Sequence, residues 1–373
     1  MSKIWHKLSY RSGRSTWCYH GIYQECDTYS RDDTGIVHHN AHIWCCFSFS
    51  ASFYVFTARP EYNLSSVIFL KTILYMERKM CSDINRLEPG LIKKYKEEGF
   101  LLIPSLISEE DLIILEATIQ NIIRDVENHE TATQVIEYEN TQVDGLWLPR
   151  RLFNPFELHE QFRRIATSEQ ILGHVISLIG QDIALQHSKL NMKPRKVGAA
   201  VEWHQDFTYF PHTNDDLVGV LIYLDDATSE NGCLEVLPRQ HTRSFDHSLP
   251  DGSFAGMITE EIDEENYGQP VTLAAKAGGT IFLHPFTPHR SAPNVSEQPR
   301  KTLIFEYRAA DAFPIYTGSQ LVSMESYVHH LHGNPATYAR FGGPSPAIYT
   351  PKNIPKSLYE LQEVSSKILK PKE

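Results

Sequence analysis

Cysteine is scarce where a disulfide framework would need it. Of the six cysteines in this 373-residue chain, four (Cys18, Cys26, Cys45, Cys46) precede residue 80 and only Cys81 and Cys233 follow. Two scattered thiols do not make a stapled secreted fold, so a reducing compartment is expected, with the cytoplasm as default. Long apolar runs are lacking as well. The stretches 43–56 and 64–75 are broken by Ser, Thr or Lys and fall short of the roughly 20 residues that cross a bilayer. No membrane span is expected, and the charged, apolar and small-residue order of a secretory signal is missing. Basic charge is also in deficit: the formal net charge is −11. Adhesion to phosphate backbones or anionic lipid requires basic surface, so no nucleic-acid partner is expected. Glycine and proline are not in excess, and no repeat or low-complexity tract interrupts the chain. What remains is a globular chain long enough to bury a substantial core.

Residues 1–79 differ in character from the rest. They carry a balance of +3, leaving −14 for the remainder. Their sequence shows neither strand alternation nor a helical period. Cys45, Cys46, His38, His39 and His42 lie close together there, but without the Cys-x₂-Cys and His-x₃-His spacing of stable zinc modules. The segment is read as a disordered or mispredicted extension, with one functional domain spanning 80–373 and opening near Met76 or Met80.

From Glu88 onward the pattern becomes regular. Leu91, Ile92 and Tyr95 mark a short helix that Gly99 stops, and 100–103 reads as an apolar strand. Ser108 is a helix N-cap; Glu109, Glu110 and Asp111 suit the positive end of the helix dipole, and Leu112, Leu115, Ile119, Ile122 and Ile123 form the buried stripe. Further helices are expected over 155–167 and from the cap Ser168 to about 179. Beyond Gly180 short strands take over, at 183–192, 201–207, 218–224, 234–237, 271–273, 280–283 and 302–307. Helices first and many short strands later predict an α+β fold whose core is a sandwich or jelly roll.

Within "VEWHQDFTYFPH", His204 and Asp206 are two positions apart, so on an extended strand both side chains leave the same face and can reach one ion. Alone the triplet is weak, because a chain with 18 histidines and 46 acidic residues contains such triplets by chance. A second element, "GGTIFLHPFTPHRSAP", launches an apolar strand from Gly278-Gly279 and offers two competing histidines, His284 and His289. Either would complete two imidazoles and a carboxylate, the facial set that leaves three metal positions open. Arg300, eleven residues after His289, favours His289, since at the start of the next strand it could grip a dicarboxylate in a two-pronged contact.

Taken together, "WHQDFTYFP", "NGCLEVLPRQH" and "PHRSAP" with its following arginine, preceded by "KYKEEGFLLIPSLISEEDL", resemble the phytanoyl-CoA dioxygenase family. The likeness covers about 91–311. It implies a double-stranded β-helix of jelly-roll type, flanked by N-terminal helices, with the site in the mouth of the roll. It further implies Fe(2+) held by His204, Asp206 and His289, 2-oxoglutarate anchored by Arg300 with Ser291 assisting, and O2 as the other substrate. Gln205, Arg151 and His187 match positions near the co-substrate. The implied activity is hydroxylation of an unactivated carbon in a small organic or lipid-like molecule, with release of succinate and CO2. Asp206 fills the place that related halogenases leave for chloride, which disfavours halogenation. Desaturation, cyclisation or endoperoxide formation with the same cofactors is the alternative chemistry, and a catalytically silent jelly-roll binder the alternative class; intact His204, Asp206, His289 and Arg300 argue against the latter. The chain departs from the pattern at Ile222, where the phytanoyl-CoA enzymes have Trp, and at Pro238-Arg239, where the turn usually reads Pro-Gly. Gly232 is read as a tight turn and His241 as a framework residue.

Overall fold

The computed structural model describes residues 85–127, 135–143, 145–315, 329–344 and 357–369, and before residue 58 the backbone of a few short strands alone. The chain divides into two compact units, Met1–Ser82 and Asp83–Glu373. The readings of 1–79 as an extension, of the start near Met76 or Met80 and of the Cys/His cluster lie outside the described residues.

The second unit begins as its sequence predicts. Helix α1 (Pro89–Glu98) has proline in its first turn, where the missing N–H costs nothing. Gly99 ends it in the left-handed region, at φ 84°, with its N–H donating to the Tyr95 carbonyl at 2.8 Å. A side chain there would come within 2.6 Å of the His241 and Thr287 side chains, so glycine also permits the close approach of α1 to the site loops. Strand β1 (Phe100–Ile103) follows, then α2 (Glu109–Glu127). The Ser108 hydroxyl accepts from the Asp111 N–H at 3.1 Å, as an N-cap should.

The single helix expected over 155–167 is two, α3 (Pro155–Leu158) and α4 (Glu160–Ala166). His159 between them is extended, and its ring nitrogen caps α4 by accepting from the Gln161 N–H at 3.2 Å. Capping by imidazole, not propensity, sets that break. Helix α5 (Glu169–Ile179) is capped by Ser168 as expected and buries Ile171, Val175 and Ile176.

The described strands of this unit form two antiparallel sheets. β2 (Ile136–Val143) and β3 (Leu146–Phe153) were not legible beforehand, because charged residues and Pro149 interrupt their alternation. β4 (Ile183–Lys193), β5 (Val201–His204), β6 (Leu217–Tyr223), β7 (Leu234–Val236), β8 (Val271–Leu273) and β9 (Thr280–Leu283) follow the predicted order. β10 (His289–Ser291), β11 (Arg300–Ala309), β12 (His329–His332) and the helix α6 (Leu358–Leu369) complete it. The large sheet runs β1-β9-β6-β11-β4-β3-β2, with β12 also on β4; the small one runs β5-β10-β7-β8. The fold is the α+β jelly roll expected.

Strand alternation sorts the core into two layers. Val218, Val220 and Ile222 of β6 and Leu303, Phe305 and Tyr307 of β11 face the helices and pack with Leu115, Ile119, Ile171 and Val175. The opposite face of the same strands sends Leu221, Tyr223 and Ile304 toward Leu234, Val236 and Leu273 of the small sheet. Each such fully buried aliphatic side chain contributes about 1.5–3 kcal/mol. Ile222 belongs to the helix-facing layer, fully buried. Between the sheets the apolar layer gives way at one end to polar side chains.

Candidate metal centre

That polar end is built by register. β5 and β10 pair antiparallel with His204 opposite His289 and Val201 opposite Ser291, so the two imidazoles are cross-strand neighbours by construction. Their ring centroids are 4.0 Å apart. The expected strand 201–207 ends at His204; Asp206 opens a 3-10 turn, Asp206–Thr208. Gln205 between them is still extended (φ −119°, ψ 128°), so the two-residue spacing brings the carboxylate to the same side as His204. Asp206 Oδ1 lies 3.8 Å from His204 Nε2, and its Oδ2 lies 3.7 Å from His289 Nε2. Among the described residues these three form the group whose ligand atoms all fall within 4.8 Å of one another, and all three are buried.

Tautomers are fixed from behind. His204 Nδ1–H donates to the Glu202 carbonyl at 2.8 Å, and His289 Nδ1–H donates to the Thr287 carbonyl at 3.0 Å. Each ring therefore turns an Nε2 lone pair toward Asp206, the arrangement of metal-bound histidines. Burial and the neighbouring His289 push His204 down to about 3, keeping it neutral and able to ligate. Burial alone would raise the Asp206 carboxyl, but His289, Lys189 and His204 around it outweigh that and hold it below its ordinary value. The competing His284 sits elsewhere, against His241 and Tyr95 and 3.8 Å from Asp215.

The triad opens into a cavity between the sheets. Lys189, Asn191 and Lys193 line it from β4, Leu221 and Tyr223 from β6, and Arg300, Thr302, Ile304 and Glu306 from β11. Both polar runs step by two residues, as one face of a strand must. Ser291 lines it beside His289, and Leu358 and Tyr359 close it from α6.

Arg300 is 6% exposed. Its Nη1 donates to Thr302 Oγ1 at 2.5 Å and its Nη2 to the Gly232 carbonyl at 2.6 Å, while its Nε–H is buried with no partner. No described carboxylate pairs with it. Gly232 reads as the tight turn expected: φ is 77°, and a side chain would meet the Ala292 carbonyl oxygen at 2.2 Å. Its carbonyl is thereby free to hold Arg300. Lys193, the cross-strand partner of Arg300, is spent on the carbonyls of Ala199 and Ala292, both at 2.6 Å.

The remaining expected positions do not reach the cavity wall. The Gln205 amide is consumed by main chain: its nitrogen donates to the Arg243 and Phe286 carbonyls and its oxygen accepts from the Phe245 N–H. Arg151 stands one layer back; its Nε donates to Asn191 Oδ1 at 3.1 Å, and its guanidinium lies 5.2 Å from the Tyr359 ring. His187 is buried edge-on to Phe210, its Nε2 unpartnered, and burial pushes it well below its ordinary value. His241 accepts its framework role, within 3.1 Å of the Lys96 carbonyl. Sequence reading missed Lys189, Asn191, Thr302, Glu306 and Tyr359. Stepping by two from Arg300 along its strand would have found Thr302 and Glu306.

Comparison with known proteins agrees with this geometry. The family model described as phytanoyl-CoA dioxygenase matches residues 95–302, more than half of the chain. A probable alpha-ketoglutarate-dependent hypophosphite dioxygenase from Stutzerimonas stutzeri is 31% identical over 230 residues, covering 60% of this chain and 79% of that protein. An L-proline trans-4-hydroxylase from Streptomyces griseoviridis is 27% identical over 243 residues, covering 60% and 87%. Among solved structures, the epimerase SnoN in complex with Fe3+, alpha ketoglutarate and nogalamycin RO aligns with a TM-score of 0.51 at 21% identity, over 69% of this chain and 95% of that one. At that identity the likeness is one of fold.

Proposed function

This chain belongs to the phytanoyl-CoA dioxygenase family and is an iron(II)- and 2-oxoglutarate-dependent dioxygenase, and on that premise we propose that it hydroxylates a carbon of a small-molecule substrate, with His204, Asp206 and His289 as iron ligands and Arg300 as the 2-oxoglutarate anchor. The residues fit the groups. Two imidazoles and a carboxylate converge on one point, the donor set that leaves three metal positions open. The observation that carries the co-substrate is Arg300, a buried guanidinium with no carboxylate partner among the described residues and with an unpartnered Nε–H. A buried cation in that state is costly unless an anion comes to it. The far carboxylate of 2-oxoglutarate meets that need.

When bound, iron(II) with 2-oxoglutarate and O2 supplies the oxidant: 2-oxoglutarate becomes succinate and CO2, and the second oxygen atom enters a substrate C–H bond. The chain's own residues prepare the site. Arg300 and Ser291 hold the far carboxylate, and Thr302 fixes the guanidinium plane. Leu221, Ile304 and Leu358 on the same wall exclude water. Gln205, with its amide committed to main chain, shapes the loop that carries Asp206, and Arg151 steadies Asn191. His187 supports the wall from behind.

No described helix is long and apolar enough to cross a membrane, and a cytoplasmic location without a nucleic-acid partner is part of the reading, supported by the sparse cysteines and the net charge of −11. The test is succinate release from 2-oxoglutarate by the iron(II)-loaded protein across a panel of small substrates. Stimulated release with an oxygenated product is expected. No iron-dependent decarboxylation with any substrate would overturn the reading.

A further inference from the structure

The cavity holds a second pair of charges that neither metal nor co-substrate binding uses. Lys189 on β4 and Glu306 on the adjacent strand β11 both line the wall shared with the triad. Registers place His187 opposite Glu306 and Lys189 opposite Ile304, so the two side chains are diagonal neighbours on one face. Glu306 is 3% exposed, and its Oε1 is buried with no hydrogen-bond partner. Lys189 Nζ stands 3.6 Å from that oxygen, beyond a closed charge-assisted contact of about 2.8 Å.

A pair kept only for stability would close that gap. Burying a carboxylate with a free oxygen is costly unless something donates to it, and Gly219 opposite leaves it room: a methyl there would come 3.1 Å from Glu306 Oε2. Lys189 is the one cationic neighbour of the Glu306 carboxylate among the described residues, and at 3.6 Å it leaves Oε1 without a hydrogen bond. Lys189, in turn, keeps donors for an anion.

Resting on the reading of the cavity as the iron and 2-oxoglutarate site, we propose that Glu306 and Lys189 are its substrate-reading residues and select a small zwitterion, Glu306 accepting from a primary or secondary ammonium N–H and Lys189 donating to the carboxylate of the same molecule. An amino or imino acid satisfies both groups at once. A plain anion would face Glu306 with like charge, and a neutral acyl chain would leave both polar groups dry and unpaired.

The test uses the full chain loaded with iron(II) and 2-oxoglutarate under anaerobic conditions, with calorimetric titration of free α-amino and imino acids and of their N-acetylated and amidated forms. Binding of a free zwitterion is expected, with a loss of about tenfold to a hundredfold on blocking either end, the range of a charged hydrogen bond. Glu306→Gln should erase the penalty for N-acetylation and Lys189→Met the penalty for amidation. Iron and 2-oxoglutarate affinities measured on the same proteins separate this inference from the one beneath it. If those affinities are normal but no zwitterion binds, or a phosphonate or fatty acid binds instead, the substrate class is wrong. Should a variant fail to fold, the blocked ligands on the unaltered protein decide the same question.

Discussion

His204 and His289 stand directly opposite each other across the β5–β10 pair, each with its Nδ1–H tied to the carbonyl two residues before it. The ligand set is thus a property of strand register, and a one-residue slip would turn both rings away. His204→Ala or Asp206→Ala should reduce iron(II) affinity by more than the about 10–100-fold typical of losing a second-sphere partner. His284→Ala should leave it unchanged, because that ring packs on His241 and Tyr95 instead. Anaerobic iron titration of the three variants checks this; equal loss in all three would refute the triad.

Arg300→Ala should weaken 2-oxoglutarate binding with little change in iron affinity. Removing one side of a buried charge-assisted pair costs about 2–5 kcal/mol, about 30-fold to several thousand-fold. Arg300→Lys should recover part of this, since it keeps the charge and loses the planar fork. Arg290→Ala should have no such effect, because Arg290 pairs with Glu235 at 2.6 Å and stacks on Trp203. Titrating 2-oxoglutarate into each iron-loaded variant measures all three.

Tyr359 on α6 is buried against the Arg150 guanidinium, 4.4 Å from its ring, and lines the cavity. Tyr359→Phe should preserve the contact, whereas Tyr359→Ala should open the wall, raise the KM for 2-oxoglutarate and lower stability by about 1–3 kcal/mol for the lost packing and cation–π contact. Kinetics and thermal melts of the pair test it; identical behaviour would remove α6 from the site.

Arg239 holds a left-handed backbone, φ 62°, a region that favours glycine. Its side chain is largely exposed and only 3.9 Å from Glu98, a contact of little energy. Arg239→Gly should therefore stabilise the protein by about 1 kcal/mol, raising Tm by about 2 °C. A calorimetric scan showing destabilisation would mean that the turn depends on the arginine side chain.

Local chemistry made much of this legible from sequence. Ser108 and Ser168 announce their helices because a hydroxyl can satisfy an orphan N–H only at a helix start. His204 and Asp206 announce a site because a spacing of two survives both in a strand and at its exit. Alternation along β6 and β11 predicts two-faced strands without saying what each face meets. The tertiary structure decided the rest. Arg300 favours His289 over His284 from sequence, and the pairing of β5 with β10 supplies the physical reason, setting His289 opposite His204. Arg300 and Arg308 are equally buried, and only their placement separates them: Arg300 lines the cavity, whereas the Arg308 guanidinium is engaged by main-chain carbonyls and that of Arg290 by Glu235. Lys189 and Tyr359 come from β4 and α6, and nothing in their local sequence marks them, because a cavity is made by elements that meet in space. Sequence carries the propensities and the donor types; closure of the two sheets around them sets which donors share one volume.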